Sequence, residues 1–159
     1  MNLVQFNHAI STFHNLVADN LYHQSKPVPV TGYCKNAGNR KYSFMVMKIN
    51  ECHIESVITF HPFYQVPVMY FRILDLSDNQ AVPIDHIAKI FPDFSPASVT
   101  LESPEVVPGV WVCIHPCETA QQMETCSTAS PQEYLRLWYA FYGVGATFPS
   151  ISVRPTRND

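Results

Sequence analysis

Hydrophobic residues near the start of the chain fall at Leu3, Phe6, Ile10, Phe13, Val17 and Leu21, spacings of three and four throughout. That period puts them on one stripe of a helix, facing a core, and the helix should end before Pro27. The pattern then changes. Val28-Pro29-Val30 and residues 41–49, 52–60 and 66–74 are rich in Val, Ile, Tyr, Phe and Met and read as strands. Asn50-Glu51 is a tight connection and Ser77-Asp78-Asn79-Gln80 a polar turn, so the middle of the chain predicts an antiparallel meander.

Pro83 opens a short helical stretch over residues 84–90, which Pro92 and Pro96 close. Residues 91–108 hold four prolines and little periodicity, which predicts a long surface connection with a short strand at Ser98-Val99-Thr100-Leu101. In the strand predicted over residues 109–115, Trp111, Cys113 and His115 share one face, Val112 and Ile114 the other. Thr119 with Gln122 fits a capping box, so a short helix should start there. Ser130-Pro131-Gln132-Glu133 is a stronger helix start, followed by an apolar face of Tyr134, Leu135, Trp138, Phe141 and Tyr142, with Gly143 as terminator. Residues 148–159 carry prolines and charges and are expected to form a mobile end. The fold class is α+β: one domain over residues 1–159, a meander packed against N-terminal and C-terminal helices.

Composition narrows the function. The 159 residues are 47% hydrophobic and 14% charged, which suits a folded core, and a net charge of -3 leaves no basic footprint for nucleic acid or anionic lipid. No run reaches the ~20 apolar residues of a membrane span, and the N-terminal residues lack the pattern of a secretory signal. A cytosolic location is expected. Five cysteines, an odd number at irregular spacing, fit reduced thiols rather than a disulfide framework.

The candidate chemistry lies in His115-Pro116-Cys117. Pro116 has no N–H to give a ladder, so strand pairing should stop just before Cys117. A helix starting near Thr119 would aim unpaired N–H groups at the thiol, an arrangement that lowers a thiol's pKa. From these residues alone a nucleophile and a small buried thiol are equally supported. Cys113, His115, Cys117 and Cys126 are donors of the right type for zinc, but their spacing lacks the usual paired ligands, and no metal or other cofactor is expected. A cysteine hydrolase would need His61 or His86 as base, and His61, at a strand end before Pro62, reads as an ordinary exposed histidine.

The His115-Pro116-Cys117 triplet, the block Tyr64-Gln65-Val66-Pro67-Val68-Met69-Tyr70-Phe71-Arg72, and Tyr134-Leu135 followed by Trp138 and Gly143 occur in the order seen in a known family. The chain resembles the autophagy-related conjugating enzymes, distant relatives of ubiquitin-conjugating enzymes. The resemblance covers most of the chain, and the short length favours the branch that conjugates to protein over the lipid-conjugating branch with its long insertions. It implies a ubiquitin-conjugating-enzyme-like fold. It also implies acyl transfer through Cys117: the activating enzyme, autophagy-related protein seven, delivers ubiquitin-like autophagy protein twelve, which passes to a lysine of autophagy protein five. His115, Pro116 and Thr119 are the motif residues expected to support Cys117. Phe60, Phe63, Tyr64 and Tyr70 are candidates for contact with the target. Ordinary ubiquitin-conjugating enzymes carry a His-Pro-Asn whose Asn stabilises the oxyanion; His61-Pro62-Phe63 lacks it, leaving the N–H groups after Cys117 as candidates. A non-catalytic adaptor of the same fold is the alternative class.

Overall fold

The computed structural model describes residues 1–94 and 99–154, so Pro96, Ser98 and the last five residues lie outside the described part. Helix α1 (Leu3–Asn20) starts on Asn2, whose side chain accepts from the Gln5 N–H at 2.9 Å while Gln5 Oε1 accepts from the Asn2 N–H at 2.9 Å. This reciprocal pair satisfies two orphan donors. Phe6, Ile10, Phe13 and Val17 are buried along one stripe, as their spacing predicts, each contributing roughly 1.5–3 kcal/mol. His14 is buried beside them, and its Nδ1 lies 2.7 Å from Ser43 Oγ on the sheet. Leu21 turns to extended backbone and begins β1 (Leu21–His23), which pairs with the short β2 (Lys26–Pro27).

The main sheet follows as β3 (Val30–Ala37), β4 (Arg40–Ile49), β5 (Cys52–His61) and β6 (Val66–Asp75). All four are antiparallel neighbours in chain order. Gly38 and Asn50 adopt the left-handed backbone that tight hairpins require, at φ 62° and 53°. A short 3-10 turn at Ile84–His86 runs into α2 (Ile87–Ile90), with Pro83 still extended ahead of it. Next come β7 (Val99–Glu102) and β8 (Trp111–Ile114), and β8 inserts between β6 and β7 to give the order β3-β4-β5-β6-β8-β7. The chain finishes with α3 (Cys117–Glu124), α4 (Pro131–Tyr142), α5 (Val144–Thr147) and β9 (Ile151–Val153).

One face of the main sheet buries Met45, Met47, Ile54, Ile58, Met69, Phe71 and Val112 in the same cluster as the stripe of α1 and Leu135, Trp138 and Tyr139 of α4. The other face carries a smaller cluster of Tyr42, Val57, Val68, Tyr70, Trp111 and Cys113, with Val106 and Val107 of the long loop packed on it. Alternation across β8 accounts for the split: Val112 points inward, Trp111 and Cys113 outward. Among the described residues no helix is long and apolar enough to cross a membrane.

Several expectations change. The strand expected over Val28-Pro29-Val30 starts only at Val30 and runs on to Ala37: most side chains of β3 are exposed, and an edge strand needs no run of apolar residues. On α4 the buried stripe is Leu135, Trp138 and Tyr139, whereas Phe141 is exposed. Part of the expected mobile end is anchored. Phe148 is fully buried, β9 pairs with β1, and the Arg154 N–H donates to Asn20 O at 3.0 Å.

Candidate active site

The register of the sheet assembles the site. Strand β6 runs antiparallel to β8 with Tyr70 opposite Cys113, so the start of β6 lies beside the end of β8. The β5–β6 turn, residues 62–65, therefore sits next to His115. The turn is held locally: the Gln65 N–H donates to His61 O at 2.9 Å, Gln65 Nε2 donates to Pro62 O at 2.6 Å, and Gln65 takes φ 57°. It brings the Tyr64 ring against two imidazoles, 4.9 Å from His61 and 6.0 Å from His115 between centroids.

Pairing in β8 stops at Ile114, and buried Pro116 caps a helix whose first residue is Cys117. The cysteine is exposed. Its N–H donates to His115 Nδ1 at 3.2 Å, so a neutral His115 ring carries its proton on Nε2 and presents it as a donor. His61 is pinned in the same way, Nδ1 accepting from the Tyr64 N–H at 3.3 Å. Burial pulls the His61 pKa below 6.5; Glu102 and Glu105 oppose the shift, His115 and Arg40 reinforce it. The result is a half-buried neutral imidazole.

The other thiols are built differently. Cys52 and Cys113 are buried, and burial together with nearby carboxylates raises both pKa values, that of Cys113 to about 12. Cys34 is half-buried beside Ser11 Oγ, and Cys126 bonds Gln122 O past the far end of α3. Among the described residues, no three His, Cys, Asp or Glu side chains converge as metal ligands would.

Residues 15–151 match the family described as "Autophagocytosis associated protein, active-site domain". The chain is also 30% identical over 124 residues to the ubiquitin-like-conjugating enzyme ATG10 of Candida albicans, covering 74% of this chain and 68% of that protein. This chain belongs to the autophagic ubiquitin-like-conjugating enzymes. The crystal structure of the autophagic E2 Atg10 has the same fold, with a TM-score of 0.58 at 15% identity over 94% of this chain and 98% of that one. As a member of the family, the protein is a transferase of ubiquitin-like conjugation in autophagy.

For this conjugating enzyme the structure brings His115, Pro116 and Cys117 to one exposed junction and adds Tyr64. It corrects three site expectations. Thr119 is not the helix cap: α3 begins two residues earlier, and Thr119 lies inside it, buried, with its N–H donated to Pro116 O at 3.2 Å. Phe60 and Tyr70 offer no target surface, because Phe60 packs on Phe6 in the main core and Tyr70 lies in the outer cluster. Phe63 is 80% exposed and Tyr64 half-buried, so of the four aromatics these two have accessible surface. His61, expected to be an ordinary exposed histidine, is part of the site cluster. Its partner Tyr64 comes from the β5–β6 turn, and no local sequence signal announces that packing. His86 pairs with Asp85 at 3.8 Å in the 3-10 turn and takes no part in the cluster.

Proposed function

We propose that Cys117 receives autophagy protein twelve as a thioester from the activating enzyme, autophagy-related protein seven, and transfers it to a lysine of autophagy protein five. The observation that carries this reading is an exposed thiol at the β8–α3 junction with the Nδ1-bonded His115 and the Tyr64 ring beside it. In the first step the Cys117 thiolate attacks the C-terminal glycyl carbonyl. A new S–C bond forms as the bond to the activating enzyme's sulfur breaks. In the second step a neutral lysine amine attacks that carbonyl, the Cys117 sulfur leaves, and an isopeptide bond remains. The amine loses its proton along the way, and thiolate departure is favoured over amine departure because sulfur is the better leaving group.

Between attack and departure the carbonyl oxygen carries negative charge and needs donors. The N–H of Cys117 is held by His115 and that of Thr119 by Pro116 O, which takes away two of the backbone donors the sequence offers. The Nε2–H of His115 is a side-chain donor beside the thiol that can act in their place, and the Tyr64 ring packs against it. An open surface also suits folded protein substrates better than the enclosed pocket of a small-molecule hydrolase. We place the reaction in the cytosol, where the reduced state of all five cysteines fits.

Incubation with activating enzyme, ATP and protein twelve should give an adduct that thiol reductant removes. Cys117→Ser should give an ester that reductant leaves intact and alkali cleaves. A reducible adduct persisting in that variant would overturn the role of Cys117, and absence of any adduct on the unmodified chain would favour the adaptor.

A further inference from the structure

A groove of about 640 Å³ opens between the second half of α1, one flank of α4 and β9. It shares no residue with the Cys117 cluster. Its floor is apolar, with Phe13, Leu16 and Val17 on one wall and Pro149, Ile151 and Val153 on the other. Ala140 opens the α4 side, nearly opposite Tyr142, which bonds Gln122 of α3. The groove and the contact with α3 thus lie on different sides of α4.

The charge at its rim is one-sided. Four arginines fall among the described residues, and two of them are neutralised, Arg40 by Glu105 and Arg72 by Glu55. The other two, Arg136 and Arg154, both line this groove, and among the described residues no carboxylate lies within 4 Å of either. Among the described residues no Asp or Glu lines it. On a chain of net charge -3 this is a local inversion of the overall sign. The Arg154 guanidinium is already held in place, 4.5 Å above the Tyr22 ring. A preset cation costs less side-chain entropy when it meets a carboxylate.

We propose that this groove docks an acidic peptide segment of a protein partner, with apolar side chains seated between α1, α4 and β9 and carboxylates on Arg136 and Arg154. The volume takes several side chains, within the range of pockets that hold sizeable ligands. Two arginines on an acidic protein give too little attraction for an anionic bilayer, at about 1 kcal/mol each. Because the groove is separate from Cys117, docking leaves the thiol free to be charged or discharged.

The test selects phage-displayed random twelve-residue peptides on the intact chain, then measures the best labelled peptide by fluorescence anisotropy. Enriched peptides should combine Asp or Glu with Leu, Phe or Trp. Affinity should fall at least tenfold in Arg136→Glu/Arg154→Glu and also in Ala140→Trp, which fills the groove without altering charge. Circular dichroism melting confirms that each variant folds. No enrichment, enrichment without acidic residues, or undiminished binding to either variant overturns the proposal. Co-sedimentation with phosphatidylserine vesicles that the arginine variant abolishes, with no peptide selected, assigns the surface to membrane instead.

Discussion

The Cys117 N–H donates to His115 Nδ1 at 3.2 Å, so the residue before Pro116 is fastened to the first turn of the helix that bears the thiol. With Nδ1 accepting that N–H, the neutral ring carries its proton on Nε2, which makes it a hydrogen-bond donor rather than a base at that nitrogen. If Nε2–H stabilises the oxyanion, His115→Ala should slow discharge of a preformed thioester about 10- to 100-fold, below the larger losses seen in enclosed oxyanion holes. His115→Gln, which keeps an N–H donor, should recover part of the rate. Single-turnover discharge onto the target measures both. Equal rates for the alanine and unmodified proteins would remove His115 from the mechanism.

Two substitutions of Tyr64 separate its ring from its hydroxyl. Its ring packs against both His61 and His115, and among the described residues its hydroxyl makes no hydrogen bond. Tyr64→Phe should therefore discharge within about twofold of the unmodified enzyme, while Tyr64→Ala frees the His115 ring and should lose ~5- to 10-fold, as misplacement of a reacting group does. A large loss in the phenylalanine variant would mean that the hydroxyl, and not the ring, matters.

Phe60 and Phe63 lie three residues apart with opposite fates. Phe60 is 1% exposed and packs on Phe6 with ring centroids 5.5 Å apart, so Phe60→Ala should cost ~3–5 kcal/mol in urea unfolding. Phe63 stands clear of the turn, and Phe63→Ala should stay within about 0.5 kcal/mol. If Phe63 contacts the target, the same variant should weaken its pull-down of autophagy protein five at unchanged stability. A stability loss for Phe63→Ala comparable to that of Phe60→Ala would contradict the burial.

What could be read in advance was whatever the chain encodes locally. The stripe of α1, the three long strands, the tight Asn50-Glu51 connection and the Ser130 cap of α4 depend on neighbours within a few residues, and each stands where its pattern placed it. The Ser130 cap shows the limit of such reading: its side chain accepts from the Glu133 N–H, but Glu133 reaches the Ala129 N–H rather than closing the box on Ser130. Thr119 failed for a similar reason, since a pattern of cap residues does not say that Pro116 has already started the helix. The contact of Tyr64 with His115 and the pairing of β8 with β6, Tyr70 opposite Cys113, join residues about forty to fifty apart in sequence. Alternation shows that a strand has two faces but not which covers the core and which the outer cluster, and Phe60 and Tyr70 were misjudged on that ground.

Thiol burial predicts an order of alkylation. Iodoacetamide at neutral pH should label exposed Cys117 first, while Cys52 and Cys113, buried and raised in pKa, should label only when the protein unfolds. Peptide mass mapping over time reads each site. Labelling of Cys113 in the folded protein at the rate of Cys117 would be incompatible with this packing.

Acid should weaken the fold through its histidines. Burial lowers the pKa of His14 below 6.5, and burial lowers that of His61 in the same direction. In the unfolded chain both return to about 6.5. At pH above that value neither state binds the proton, and the stability tied to neutral histidine is fully present. As pH falls below about 6.5 the unfolded chain takes up protons first, so stability declines with a slope of at most ~1.4 kcal/mol per pH unit for each histidine. The decline ends once pH has dropped through the lowered folded values and both states are protonated. His14 is the more informative of the two, because its ring is bonded to Ser43 where α1 meets the sheet, and charging it there strains the docking of the helix. Urea unfolding at pH 7.5 and 5.0 should show the loss, and His14→Gln should lower stability at pH 7.5 yet reduce the difference between the two pH values. An unchanged difference in that variant would assign the acid sensitivity to other groups.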